Sequence, residues 1–175
     1  MKIDMSFDFD YPAEDVFYTF RDKTKEFAKH IPNVTEVKIK EKKKLDKSRT
    51  SLSTVWKGFG NIPLVVRAIV KPEMISWTED DIWDEEGLIM TWKCEPFYFK
   101  EFFTCHGKWT FKDVGEEQAK VKLDGILKVY IPSFPGVPDS VAQTAGGIVE
   151  KVIFKYLEPN LQATIDAIKE ILGYK

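Results

Sequence analysis

Residues 1–42 read MKIDMSFDFDYPAEDVFYTFRDKTKEFAKHIPNVTEVKIKEK. In the first nine, Ile3, Met5, Phe7 and Phe9 fall on one side, while Asp4, Ser6, Asp8 and Asp10 fall on the other. That period of two predicts a half-buried strand over 3–9. Tyr11-Pro12 ends it, and Pro12 suits a first helical turn because its missing N–H costs nothing there. Glu14 and Asp15 favour the positive end of that helix, and Val16, Phe17 and Phe20 give it an apolar stripe. A second short helix is expected over 24–30 with Phe27 inward, ending before Pro32. The chain has thus made one strand and two short helices before its main sheet begins.

Further strands are predicted at 34–43, 49–60, 64–71, 74–83, 87–95, 102–112 and 118–131. The breaks between them carry turn residues, such as Asn61-Ile62-Pro63, Lys71-Pro72-Glu73 and Glu85-Glu86-Gly87. Connections this short make neighbouring strands antiparallel. A stiff segment, Ile131-Pro132-Ser133-Phe134-Pro135-Gly136-Val137-Pro138, leads into a helix predicted from about Asp139 to Leu172. Its stripe is Val141, Ala145, Ile148, Val152 and Tyr156, then Leu161, Ile165, Ile168 and Leu172. Pro159 predicts a kink or two helices end to end, and Gly146-Gly147 is a second soft point. The fold class is therefore α+β: a curved antiparallel sheet wrapped around a long C-terminal helix, with two short helices after the first strand. A curved sheet gripped by one helix encloses an apolar space.

The chain of 175 residues fits one domain spanning 1–175, long enough to bury about 70% of its unfolded surface. Hydrophobic residues at 43% and charged residues at 31% place it among globular proteins. A net charge of −2 supplies no basic field for phosphate backbones, so no nucleic-acid partner is expected. The lysines 38, 40, 42, 43, 44 and 47 read as a solvated strand end, or as a weak contact to an anionic membrane or acidic partner. Cys94 and Cys105 lie in strand patterns without metal-ligand spacing. They read as reduced thiols of an intracellular, cytoplasmic protein, with no disulfide between them. The N-terminal stretch lacks the pattern of a signal peptide, and no apolar run approaches a membrane span.

Strand parity assigns inward faces. These are Leu52, Thr54 and Trp56; Leu64, Val66, Ala68 and Val70; Leu88, Met90, Trp92 and Cys94; Phe103, Cys105, Gly107, Trp109 and Phe111; and Ala119 to Ile131 on odd numbers. His106 and Arg67 fall on outward faces, and His30 reads as a cation at a helix end. Strand 74–83 is ambiguous. Glu79 shares a parity with Ile75, Trp77, Asp81 and Trp83 and could sit at a cavity rim, but the reading adopted is a solvated strand end. The inward list then holds almost no polar group. No catalytic residue, metal site or cofactor is expected.

The run YPAEDVFYTFRDKTKEFAKHIPNVTEVKIKEK, with the element order of the whole chain, resembles the START-like, polyketide-cyclase-like superfamily (SRPBCC, Bet v 1-like). Within it, the run is similar to the coenzyme Q-binding and polyketide cyclase branch. The resemblance implies a helix-grip fold with a deep apolar cavity for lipids, quinones, sterols or polyketides. The candidate lining is Trp56, Val66, Ala68, Trp92, Cys94, Cys105, Trp109, Leu123, Leu127, Ile148, Val152 and Tyr156. Loop 132–138 with the start of the long helix, and also Asn61-Ile62-Pro63, would form the gate. Phe97-Tyr98-Phe99 is an aromatic tip that could touch a membrane transiently. The expected function is a carrier or sensor of a hydrophobic small molecule, acting as a monomer or homodimer. The alternative is a cyclase, dehydratase or hydrolase-like enzyme using Glu79, Tyr156 or Thr54. A further alternative is a cochaperone-like interaction module with a filled core.

Overall fold

The computed structural model describes residues 1–60, 62, 64, 71, 74–131 and 139–173. Strand β1 (Lys2–Phe9) leads into helices α1 (Ala13–Asp22) and α2 (Thr24–Phe27), the latter continued by a 3-10 turn, Ala28–His30. Strands β2 (Val34–Lys44), β3 (Arg49–Gly58), β4 (Ser76–Asp84), β5 (Ile89–Pro96), β6 (Phe103–Gly115) and β7 (Gln118–Val129) follow, then α3 (Asp139–Gly173). The strands form one antiparallel sheet in the order β1-β7-β6-β5-β4-β3-β2. β1 reaches the far edge by pairing with β7, which lets α1 and α2 cross one end of the sheet. This is the predicted helix-grip arrangement, with seven strands among the described residues. Of the expected 64–71 strand only Leu64 and Lys71 are described. Leu64 sits in a helical turn and Lys71 in no regular element; the inward positions Val66 and Ala68 lie outside the described residues. β3 pairs directly with β4, Trp56 opposite Trp77.

Local chemistry explains how α1 starts. Pro12 stands just before it and its carbonyl accepts from the Val16 N–H at 3.2 Å. The free N–H of Ala13 donates to Asp113 Oδ1 on β6 at 2.7 Å, so a strand side chain caps the helix. Val16, Phe17 and Phe20 then drive into the sheet. Phe17 meets Trp83 and Phe111 edge-on at 5.1 and 5.3 Å, and Phe20 lies 5.2 Å from Trp109. The last two turns of α3 close the same end with Ile165, Ile168 and Leu172, all buried. One end of the grip is therefore solid core.

α3 runs unbroken through Pro159, so the alternative of two separate helices does not occur. Its inward stripe is Ala142, Ala145, Val149, Val152, Ile153, Tyr156, Leu157 and Leu161. That is one position later than expected at two points. Val141 and Ile148, placed inward from sequence, stand 52% and 40% exposed. The neighbouring apolar pair Ile148-Val149 leaves the helical phase open in sequence, and the packing chooses Val149. Gly146 has its own reason to be glycine: a Cβ there would lie 2.8 Å from the carbonyl oxygen of Val129, so the helix rests directly on the end of β7. The Val129 N–H donates to Glu150 Oε1 at 2.8 Å and fastens the same contact. No helix among the described residues is long and apolar enough to cross a membrane.

Candidate functional site

Between the sheet and the middle of α3 lies a cavity of about 550 Å³. Trp56, Trp92, Cys94, Cys105, Trp109, Leu123, Val152 and Tyr156 from the expected set line it. Leu127 does not: it is buried in the core, on β7 opposite Cys105, but is not part of the cavity wall. Ile148 does not either, because it sits on the outer side of α3. Val66 and Ala68, as noted, are outside the described residues. Phe59 and Tyr98 line the cavity while standing about half exposed, so they mark its mouth. Phe99, beside them, has a left-handed φ of 61° and stacks on Phe102 at 6.1 Å. Phe97 and Leu64 are exposed nearby in sequence. The gate proposed for 132–138 lies outside the described residues, as do Asn61 and Pro63. Ile62 is described and lines the cavity.

The walls are built from cross-strand aromatics. Trp56 and Trp77, directly opposite on β3 and β4, stack with ring centres 6.1 Å apart and planes 5° from parallel. The Trp56 indole N–H donates to Thr54 Oγ1 at 2.8 Å, which satisfies a buried polar group on the same strand. Trp92 lies over a pair of glycines. Gly107 is its register partner on β6, and Gly125 is the partner of Gly107 on β7. A Cβ on Gly107 would meet the ring at 2.7 Å, and one on Gly125 at 2.8 Å. The missing side chains make the bed in which the indole lies.

The expectation of an inward face almost without polar groups is corrected by β4. Glu79 is not at a solvated strand end. It lines the cavity with Asp81, and both share the inward face with Trp77 and Trp83. The solvent face of β4 is marked by Asp80, which accepts from Ser53 Oγ at 2.6 Å, and by Ile82. Cys94 Sγ donates to Glu79 Oε2 at 3.3 Å, from the position opposite Glu79 on β5. Burial pushes the Glu79 carboxyl above the ordinary range; the Cys94 contact works against it and the Asp80 charge adds to it. Asp81 is pushed well above its range, first by burial and then by the charges of Glu79 and Asp80. The Trp83 indole pulls weakly the other way, but its N–H makes no hydrogen bond of good geometry, and neither do Asp81 Oδ1 and the Trp92 N–H. The Cys94 thiol is also pushed well up, by Cys105 beside it, by burial and by Glu79. A thiol so placed is a poor nucleophile. Both cysteines are free. His106 and His30 are exposed, away from the cavity. At the other wall, Asn33 Nδ2 donates to Asn160 Oδ1 at 2.9 Å, tying the start of β2 to α3 one residue after Pro159. Among the described residues no group of three or more His, Cys, Asp or Glu could hold a metal ion.

No protein-family model matches the sequence, and no curated protein matches it. Solved structures do. The Zhui aromatase/cyclase from Streptomyces sp. R1128 superposes with a TM-score of 0.68 at 14% identity, over 98% of this chain and 95% of that one. TTHA0849 from Thermus thermophilus gives 0.67 at 19% identity, over 100% and 99%. Norcoclaurine synthase from Thalictrum flavum, solved with dopamine and hydroxybenzaldehyde, gives 0.61 at 19%, over 100% and 88%. The chain therefore has the START-like, Bet v 1-like (SRPBCC) fold.

Proposed function

We propose that this protein binds a hydrophobic small molecule of the lipid, quinone, sterol or polyketide-like kind, as a carrier or sensor. The cavity of about 550 Å³ between sheet and α3, walled mostly by aromatic and aliphatic side chains, carries the reading. Its size lies within the usual range for small-molecule sites. Burying roughly 300 Å² of apolar ligand surface there would supply about 7 kcal/mol before the cost of association is subtracted. The fold is shared with proteins that include an aromatase/cyclase and a synthase solved with small aromatic molecules, and this supports the reading. An interaction module with a filled core fits poorly with so large a space. The exposed aromatics Phe59, Phe97 and Tyr98 around the mouth suit a transient membrane contact during pick-up. Native mass spectrometry of gently purified protein, followed by organic extraction, tests the proposal. A mass excess that resolves into an apolar compound supports it. A clean unliganded mass, with no uptake from mixed lipids and quinones, refutes it.

The second reading, a cyclase- or dehydratase-type enzyme, is favoured by one observation. Glu79 faces the cavity with its carboxyl held toward the protonated form, as a general acid requires.

A further inference from the structure

The cavity has a chemical polarity that the apolar reading alone does not use. Among the described residues lining it there is no Lys, Arg or His, while two acids, Glu79 and Asp81, stand on its β4 wall. They are two residues apart on one strand face, so their Cα atoms are about 7 Å apart. The other titratable groups facing the space are Cys94 on β5, Cys105 on β6, Tyr98 at the mouth and Tyr156 on α3; Asp80 lies behind on the outer face. None of these carries positive charge.

A second observation is independent of the acids' number. Three buried polar atoms at this wall make no hydrogen bond of good geometry: Asp81 Oδ1 and the indole N–H groups of Trp83, which acts only weakly on Asp81, and of Trp92. Trp92 lies directly opposite Asp81 in the β4–β5 register, and Trp83 is two residues along from Asp81 on the same face. Native interiors rarely leave such groups unpaired, and each one calls for an explanation. The Trp83 indole already acts weakly on Asp81, and a charged Asp81 would be a stronger acceptor for it. Ionisation in this setting needs a cation, and the described wall supplies none.

We propose that the site selects a hydrophobic amine, whose ammonium group sits between the Glu79 and Asp81 carboxyl groups while its apolar body lies among Trp56, Trp77, Trp92 and Trp109. The inference rests on the container reading and narrows it. Carboxylates accept the ammonium N–H donors, and indole faces attract the cation further. A ligand carboxylate would meet two acids and no base, so fatty acids are disfavoured. A neutral alcohol or ketone gains apolar burial and one ordinary hydrogen bond. Because burial holds the acids toward their protonated form, the entry of an ammonium ion displaces a proton. The protonated carboxyl becomes a carboxylate paired with the ammonium group, and the proton passes to solvent.

Isothermal titration with three matched probes, 4-phenylbutylamine, 4-phenyl-1-butanol and 4-phenylbutyrate, tests this at neutral pH in two buffers of different ionisation enthalpy. The expected result is amine affinity at least tenfold above the alcohol, the carboxylate weakest, and proton release with the amine alone. Combining Glu79→Gln with Asp81→Asn should bring the amine down to the level of the alcohol, with folding checked by thermal denaturation. Equal binding of all three probes, or an alcohol that outcompetes the amine, overturns amine selection and leaves the container reading intact. Failure of all three, together with failure of any lipid or quinone to bind, overturns both.

Discussion

Two carboxyl groups buried without a cation should make this protein lose stability as pH rises, and Asp81→Asn should remove part of that loss. The sign follows from the direction of the shifts. Glu79 and Asp81 hold their protons more tightly when folded than when unfolded. Below the unfolded pKa both states are protonated and nothing is lost. Once pH passes the ordinary carboxylate range, the unfolded chain releases protons that the folded chain keeps, and unfolding becomes easier. Each carboxyl still protonated in the fold contributes a slope of about 1.4 kcal/mol per pH unit. The slope ends where pH passes the folded pKa. The two acids interact, so their protons leave as a pair rather than independently. The lowered aspartates act in a more acidic window. Asp22 is held at about 2, chiefly by the Arg21 hydrogen bond with help from Lys42, so its contribution is complete above pH 4 and lost as pH falls toward 2. Glu36, Glu85, Glu95 and Glu150 are also lowered, from 4.5, and add stability with the opposite sign just above that pH; urea denaturation at half-unit steps from pH 4.5 to 7.5 therefore isolates the cavity pair through the difference between wild type and variant. Relative to the variants, the wild type should lose stability across the first units above pH 4.5. Asp81→Asn should flatten the slope by up to about 1.4 kcal/mol per pH unit, and adding Glu79→Gln should flatten it further. The slope is the readout because an amide in the same place has its own unpaired atoms. Parallel profiles for wild type and both variants would refute the burial argument.

Two substitutions test the architecture around the site. Gly107→Ala places a Cβ 2.2 Å from the carbonyl oxygen of Asp124 as well as 2.7 Å from the Trp92 ring, so it should cost about 3 kcal/mol or more and shift the tryptophan emission; a near-neutral variant by urea denaturation would count against the glycine bed. Ile168→Ala in the solid end should cost about 2–5 kcal/mol, whereas Val152→Ala on the cavity wall should cost under about 1 kcal/mol and instead weaken retention of an apolar ligand; equal stability losses would show that the helix is not divided in this way.

How much was readable in the sequence depended on whether a pattern had one phase or two. β1, β3, β5, β6 and β7 alternate cleanly, and their inward sets Ile3 and Phe9, Leu52 to Trp56, Met90 and Trp92, Trp109 and Phe111, and Ala119 to Leu123 are buried as read. β4 does not alternate by polarity, because its run Thr78-Glu79-Asp80-Asp81 puts acids on both faces. The rule that acids face water then outweighs a weaker signal, the tryptophans at 77 and 83 that share parity with Glu79 and Asp81. That signal could have found the polar wall. In α3 the adjacent pairs Ile148-Val149 and Val152-Ile153 support two helical phases equally, and the contacts of Gly146 and Glu150 with Val129 select one. Leu127 shows the limit of parity: it identifies the inward face, but whether an inward side chain reaches the cavity depends on what stands around it.

The division of α3 into two parts bears on how a hollow domain stays folded. Cavities made by core truncation cost about 24 cal/mol per Å³. Applied to 550 Å³ that scale gives about 13 kcal/mol, as much as a whole domain's stability. It applies to sealed, dry voids, and this space has a mouth at Phe59 and Tyr98 and polar groups on its wall. Admitting water lowers the penalty but does not restore the missing packing contacts, so the rest of the fold must supply the surplus. The sequence concentrates large side chains where they can do so. Phe17, Phe20, Trp83, Trp109 and Phe111 interlock beneath α1, and Ile165, Ile168 and Leu172 close the same end. The turns of α3 from Val149 to Leu161 carry less of that load: Ile153, Phe154, Leu157 and Leu161 pack against the core but are only partly buried. This stretch is fixed by Gly146 and Glu150 against the end of β7 on one side and by Asn160 to Asn33, just before β2, on the other. Between those fixed points the helix spans the cavity as a wall, so its residues can be chosen for the ligand rather than for the fold.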